Sequence, residues 1–177
     1  LLAVAMGADA VGFVFAASPR QVAAQRVYDI TRRLPPEILT VGVFRDEHPD
    51  RVIDIVDRSG VKAAQLHGRE TPEMVAHVAR RVRHVIKAVA AGSDAARAAA
   101  SYGTEVVLVD APTPGSGKVF DWLLVEEVEA GPNILLAGGL NPDNVAEAVV
   151  VGVKVAEGVN VGVKLDDGVN VGVIFDD

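Results

Sequence analysis

Residues 38–68 read ILTVGVFRDEHPDRVIDIVDRSGVKAAQLHG. Ile38–Phe44 is a short apolar run of strand length, Pro49–Ser59 has a helical pattern, and Ala63–His67 is a second short apolar run. A strand, a helix and another strand with few residues between them form an α/β unit. Continuous apolar runs of this length suit strands buried on both faces of a parallel sheet. The second run ends in Gln65-Leu66-His67-Gly68. Side chains alternate along a strand, so Gln65 and His67 share one face and Leu66 takes the other.

The same alternation continues on either side. Further strands are expected at Ala10–Phe15, His84–Ala90, Glu105–Ala111 and Asn133–Gly138, and further helices at Val22–Leu34, Pro72–Val82, Ser93–Ala100, Phe120–Glu129 and Pro142–Val150. Thr71-Pro72 and Asn141-Pro142 each set an N-cap before a first-turn proline. Two architectures fit the alternation. A doubly wound sheet carries a Gly-rich fingerprint after its first strand and an acid ending its second, and neither is present. A barrel places its functional groups at the carboxyl ends of many strands. Here Arg20 follows the first strand, His67 ends the third, Asp110 lies near the end of the fifth, and Gly138-Gly139 follows the sixth. The pattern is that of a barrel.

At 177 residues, half of them hydrophobic, the chain can build one domain with a real core. Aromatics make up 5 %, so that core is aliphatic. A net charge of −7 opposes non-specific nucleic-acid binding. No apolar run is long enough to span a bilayer. Asp9 interrupts the apolar start and no basic stretch precedes it, a poor signal peptide. Zero cysteines exclude disulfides and thiol chemistry. These features together give a cytoplasmic protein. The opening LLAVAMGADA has no initiator Met and reads as the second half of a helix, the pattern of a fragment whose start is missing.

The other end breaks the rhythm. GVNVGVKLDD (158–167) is followed directly by GVNVGVIFDD (168–177). Val159, Val161, Val163 and Leu165 alternate with Asn160, Gly162 and Lys164, a strand period, and Asp167-Gly168 is a hairpin turn signal. The chain therefore divides into a barrel part, 1–157, and a Val/Gly/Asp repeat tail, 158–177.

LVDAPTPGSGKVFDW (108–122) invites a nucleotide reading through its GSGK. A P-loop needs Gly five positions before its second Gly and Ser or Thr after the Lys. Pro112 and Val119 occupy those places, so the reading fails. A lone Asp at a strand end often caps a loop or pairs with a lysine. At a barrel mouth walled by aliphatic side chains, a partly desolvated Asp110 suits proton transfer. His67 reads as a strand-end histidine satisfied by hydrogen bonds or as a pocket residue. Arg20 reads as a surface charge or as a planar clamp for a carboxylate. Lys87, inside the apolar VIKAVA, is expected in a structural ion pair. Gly138-Gly139-Leu140-Asn141-Pro142 lets the backbone approach a ligand and sets free N–H groups at a helix start, which favours phosphate.

Taken together, GADAVGFVFAASPRQV, VGVFRDEHPDRVIDIV, AAQLHGRETPE, LVDAPTPGSGKVFDW and ILLAGGLNPDNVAEAV resemble the phosphoribosylanthranilate isomerase family in order and spacing, over about Ala3 to Ala148. The resemblance implies a TIM (βα)8 barrel acting in tryptophan biosynthesis, with no cofactor and no metal. The reaction is an Amadori rearrangement of N-(5-phosphoribosyl)anthranilate to 1-(2-carboxyphenylamino)-1-deoxyribulose 5-phosphate. It further implies that Asp110 is the general acid and that Arg20 contacts the anthranilate carboxylate. Gln65 and His67 line the pocket, and Gly138, Gly139 and Leu140 hold the phosphate. The Gly-rich segment after Asp110 then covers the active site.

The chain departs from the family in three places. The family's base is a Cys on a first strand with a KICG-type motif, and this sequence has neither. The family's second phosphate segment reads like GVDVSSGVE, where this chain has GVKVAEGVN (152–160) and Glu157 brings a negative charge toward the phosphate. The repeat also replaces the closing helix. A barrel lacking its first strand has open edges, and open edges recruit partners. The tail is expected to cover one, within a chain or between chains. Fusion to another tryptophan-pathway domain is the other expected association. The alternative to catalysis is an impaired or non-catalytic phosphate-binding barrel remnant that self-associates.

Overall fold

A computed structural model describes residues 2–5, 7–111, 122–128, 133–138, 146, 165–166 and 168–169. They form two compact units that divide between Ile86 and Lys87.

The first unit opens with a short helix, α1 (Leu2–Ala5), where the sequence suggests the end of a helix. Strands β1 (Ala10–Val14), β2 (Leu39–Phe44) and β3 (Ala63–Leu66) follow, with helices α2 (Ala24–Thr31) and α3 (Pro49–Ser59) between them. Both pairings are parallel, with Gly12 opposite Val41 and Val43 opposite Gln65. Every residue of β3 and all but the first of β2 are buried, as the unbroken apolar runs require. β1 is only partly buried and, among the described residues, pairs on its β2 side alone.

The helices start and stop where their sequences direct. In α3 the His48 side chain accepts from the Asp50 N–H, Pro49 fills the first turn, and Gly60 ends the helix at φ +69°. Helix α4 (Pro72–Ala79) is capped by Thr71, whose hydroxyl accepts from the Met74 N–H at 3.4 Å. The Thr71 side chain also holds the Glu73 carboxyl below its ordinary range, helped by a backbone hydrogen bond and opposed by burial. That contribution is present at neutral pH and fades as pH falls through the lowered value. The apolar stripe of α4 buries Val75 and Val78. At the opposite end of the strands Lys62 reaches back, its Nζ donating to the carbonyls of Pro36 and Ile38.

Strand β4 (His84–Ala90) spans the division, and the second unit continues with α5 (Asp94–Arg97), β5 (Val106–Asp110) and β6 (Asn133–Leu136). β5 and β6 are parallel, with Val109 opposite Leu136. The expected helix Ser93–Ala100 is only one α-turn, capped by Ser93, and then a 3-10 turn over Ala99–Tyr102 closed by Gly103 at φ +64°. Within the expected helix Phe120–Glu129, the described residues form a 3-10 segment at Trp122–Glu127, followed by a Val128 N–H bond to the Val125 carbonyl at 3.1 Å. The tighter winding seats Val125 and Val128 in an aliphatic core with Val107, Val109 and Ile134. Arg97 ties these pieces together, with Asp94 and Glu127 each 2.7 Å from its guanidinium.

In the tail, β7 (Leu165–Asp166) pairs antiparallel with β8 (Gly168–Val169), and Asp166 stands opposite Gly168, so Gly168 belongs to the second strand rather than to the expected Asp167-Gly168 turn. The remainder of the repeat and nearly all of the expected helix Pro142–Val150 lie outside the described residues.

Packing outweighs capping in this ledger. Val75→Ala, at a position with no exposure, should cost about 2–3 kcal/mol, and Thr71→Ala about 1 kcal/mol. Urea denaturation followed by circular dichroism checks the order. A larger loss from the cap would show that α4 is held by its end rather than by its apolar stripe.

Candidate active site

In the first unit the polar residues gather where β2 and β3 end. Gln65 is 1 % exposed, and its Nε2 lies 3.2 Å from His67 Nδ1. The shared face read from strand alternation is thus a direct contact. The tautomer of the imidazole sets which of the two nitrogens donates in this contact. Among the described residues, Gln65 Oε1 is buried without a hydrogen-bond partner. An unsatisfied buried acceptor costs about 1–3 kcal/mol, which a ligand's donor would recover. The His67 N–H extends the ladder by one bond, to the Phe44 carbonyl at 2.8 Å.

The loops leaving these strands are tied to each other. Glu70 is 3 % exposed. Its carboxylate accepts the Asp46 N–H at 3.0 Å on one oxygen and the Gly68 N–H at 2.9 Å on the other. Asp46 in turn accepts the Arg69 N–H at 2.7 Å. Asp46 has φ +52°, a left-handed conformation unusual for a residue with a side chain. A Cβ on Gly68 would lie 2.5 Å from the Asp46 nitrogen, so the approach demands glycine.

Arg20 stands exposed on the loop after β1. That loop is folded back by the Gln21 Nε2 bond to the Phe15 carbonyl at 2.8 Å and by the Val22 N–H bond to the Val14 carbonyl at 2.9 Å. The Phe15 and Phe44 rings stack 5.2 Å apart over Gly42, where a Cβ would come within 2.9 Å of each. This glycine inside a strand makes room for the aromatic pair.

In the second unit Asp110 closes β5 and is 5 % exposed. Its Oδ1 accepts the Ala111 N–H at 2.7 Å, and its carbonyl accepts the Ala91 N–H at 2.8 Å. Gly138 stands against it. A Cβ there would lie 2.6 Å from Asp110 Oδ1 and 2.7 Å from the Ala111 nitrogen, and its φ is +86°. The acid and the glycine read separately from sequence are therefore in contact. Lys87, expected in an ion pair, is 1 % exposed. It donates to the Ala88 carbonyl at 2.9 Å and lies 5.6 Å from the Tyr102 ring centroid.

Gly139, Leu140 and the GSGK loop lie outside the described residues. Sequence reasoning missed the Glu70–Asp46 tie and the Phe15–Phe44 pair. No motif announces the first, since an acid before a helix cap reads as a solvated charge. Among the described residues no group of three or more His, Asp or Glu is arranged to hold a metal ion, and no helix is long and apolar enough to cross a membrane. A surface groove of about 560 Å³, lined by residues of α3 and α4 with Arg80 and Arg81, takes none of its lining from a strand end.

The family profile PRAI, N-(5'phosphoribosyl)anthranilate (PRA) isomerase, matches residues 1–170. The chain belongs to the N-(5'-phosphoribosyl)anthranilate isomerase family. A relative from Desulforudis audaxviator bearing that name is 45 % identical over 154 residues, 83 % of this chain and 74 % of that protein. The isomerase structure from Thermus thermophilus superposes with a TM-score of 0.78 at 34 % identity, covering 97 % of this chain and 88 % of that one. A family structure in complex with reduced 1-(o-carboxyphenylamino)-1-deoxyribulose 5-phosphate gives a TM-score of 0.71 at 32 % identity, covering 96 % and 88 %. The fold class is thereby α/β of the TIM-barrel type, and the function is the family's isomerisation in tryptophan biosynthesis.

Gly138→Ala should lower stability by about 1–3 kcal/mol, from backbone strain and the crowding of Asp110. A crystal structure of the variant should show the Asp110 carboxylate displaced. An unmoved carboxylate with unchanged stability would mean that the close fit is unimportant to the acid.

Proposed function

We propose that the chain performs the Amadori rearrangement with Asp110 as its general acid. The supporting observation is a buried carboxyl at the carboxyl end of β5, fixed by the Ala111 N–H at 2.7 Å. The transferable proton is that of the Asp110 carboxyl. Asp110 gives it to the ribose ring oxygen as the C1–O bond breaks and the anthranilate nitrogen forms a double bond to C1. A general base takes the C2 proton to give the enolamine, which tautomerises to the ketone. The charge-assisted bond from Ala111 stabilises the carboxylate left behind.

Arg20 takes the anthranilate carboxylate through its planar fork. Gln65 and His67 line the substrate pocket, Gln65 Oε1 receiving a substrate donor. Gly138, Gly139 and Leu140 hold the phosphate by main-chain N–H groups at the helix start that Asn141-Pro142 signals. The substrate is a small phosphorylated molecule. No nucleic acid, membrane, metal or cofactor enters the reading. We assign 1–157 to the barrel and 158–177 to the repeat tail. Self-association through strand edges, or fusion to another tryptophan-pathway domain, is the association proposed, and the cytoplasm is the proposed compartment of this biosynthetic step.

A second reading draws on Glu157 in the expected phosphate segment, a carboxylate that would face a dianionic phosphate. Under it the chain is a phosphate-binding remnant without turnover. Loss of N-(5-phosphoribosyl)anthranilate fluorescence separates the two. Turnover that Asp110→Asn lowers by about 10²–10⁴-fold supports the acid. A folded chain that shows no turnover, yet melts at a higher temperature with inorganic phosphate, supports the remnant.

A further inference from the structure

We propose that Glu70 is a positioning residue for the Gln65–His67 pair, acting through the backbone of the loop that follows His67. The inference rests on the reading of that pair as substrate-facing, and it assigns to Glu70 a task that no motif gives it.

The geometry carries the argument. His67 is the last residue bonded into the parallel ladder, through its N–H to the Phe44 carbonyl. The next residue, Gly68, gives its N–H to Glu70, and the same carboxylate takes the N–H of Asp46, two residues beyond Phe44. Asp46 returns a bond to the Arg69 N–H. The chain on either side of the His67–Phe44 bond is thereby closed into one hydrogen-bonded ring, with an α-carbon at Gly68 that tolerates no side chain. His67 cannot rotate its backbone without breaking a charge-assisted bond, so its imidazole keeps Nδ1 at 3.2 Å from Gln65 Nε2.

The chemistry requires a carboxylate. Two main-chain donors from two loops meet two oxygens, and both oxygens must accept. A carboxylate does this, whereas an amide presents one acceptor and one NH₂ that would face an N–H. A buried anion must also recover its lost hydration, and these N–H groups supply that. Glu70 is thus matched to the loops by charge as well as shape. The Asp46 backbone, held at φ +52°, is strain of the kind a surrounding clamp sustains.

Glu70→Gln tests this with two readouts on the whole chain. Nitrogen-15 NMR of the imidazole, assigned by its loss in His67→Asn, reports the tautomer. Titration with reduced 1-(o-carboxyphenylamino)-1-deoxyribulose 5-phosphate reports affinity without needing turnover. The expected result is a change of the His67 ring from one tautomer to a mixture, with Kd weakened about ten-fold or more. Arg45→Ala, which removes only an exposed side chain, should leave both unchanged. Asp46→Gly loosens the same ring from its exposed side and serves if Glu70→Gln does not fold. An unchanged His67 ring in a folded variant overturns the proposal, whatever happens to Kd. A changed ring with unchanged Kd upholds the hold of Glu70 on the imidazole and overturns instead the substrate-facing reading of the pair.

Discussion

Parallel pairing of strands buried on both faces is the constraint from which the rest follows. In β2 and β3 nearly every consecutive residue is buried, so a polar side chain can enter only where a main-chain group or a neighbour receives it. Carboxyl ends of strands are such places, because the ladder stops there and its neighbours still offer N–H groups. Gln65 with His67, Glu70 with Asp46 and Gly68, and Asp110 with Ala111 are three solutions to one problem. Each settles a polar group beside an aliphatic core, and in two of them a carboxyl group accepts from main-chain N–H groups.

Those solutions differ in what they leave over. The Glu70 carboxylate is spent on structure, with one oxygen to each loop. Gln65 keeps an acceptor that nothing in the described residues satisfies. Asp110 packs against the bare α-carbon of Gly138, so the carboxyl and the first glycine of the Gly138-Gly139 pair are fitted to each other. Stability and chemistry are therefore not separable by position along the chain. They are separable by whether a polar atom's bonding is complete.

Much of this was legible in the sequence, and its limits are instructive. Unbroken apolar runs bounded by Thr71-Pro72 or by a glycine marked elements that fold where expected, because local signals and tertiary burial agree there. His48, which caps α3, carried no such signal, and the 3-10 form of Trp122–Glu127 was equally hidden, since seating Val125 and Val128 in the core decided it rather than propensity. Asp110 and the Gln65–His67 pair stood out because polar residues ending apolar runs are conspicuous. Glu70 did not, because a buried acid and a solvated acid are the same letter, and only the approach of two loops distinguishes them. The spacing of Gly138 from Asp110 likewise gave no hint of contact, which arises from the parallel register of β5 and β6.

The two ends of the first unit's strands are held by opposite means. Lys62 gathers carbonyl oxygens at one end, while Glu70 and Asp46 gather N–H groups at the other. Main-chain groups are common to every residue that can donate or accept there, so the path of these loops does not depend on most of the side chains along them. Arg45, which is exposed, is free to drift through neutral substitution while the trace it follows stays fixed. A few charged anchors thus give the protein a rim whose lettering can diverge between lineages without moving the groups that the rim presents.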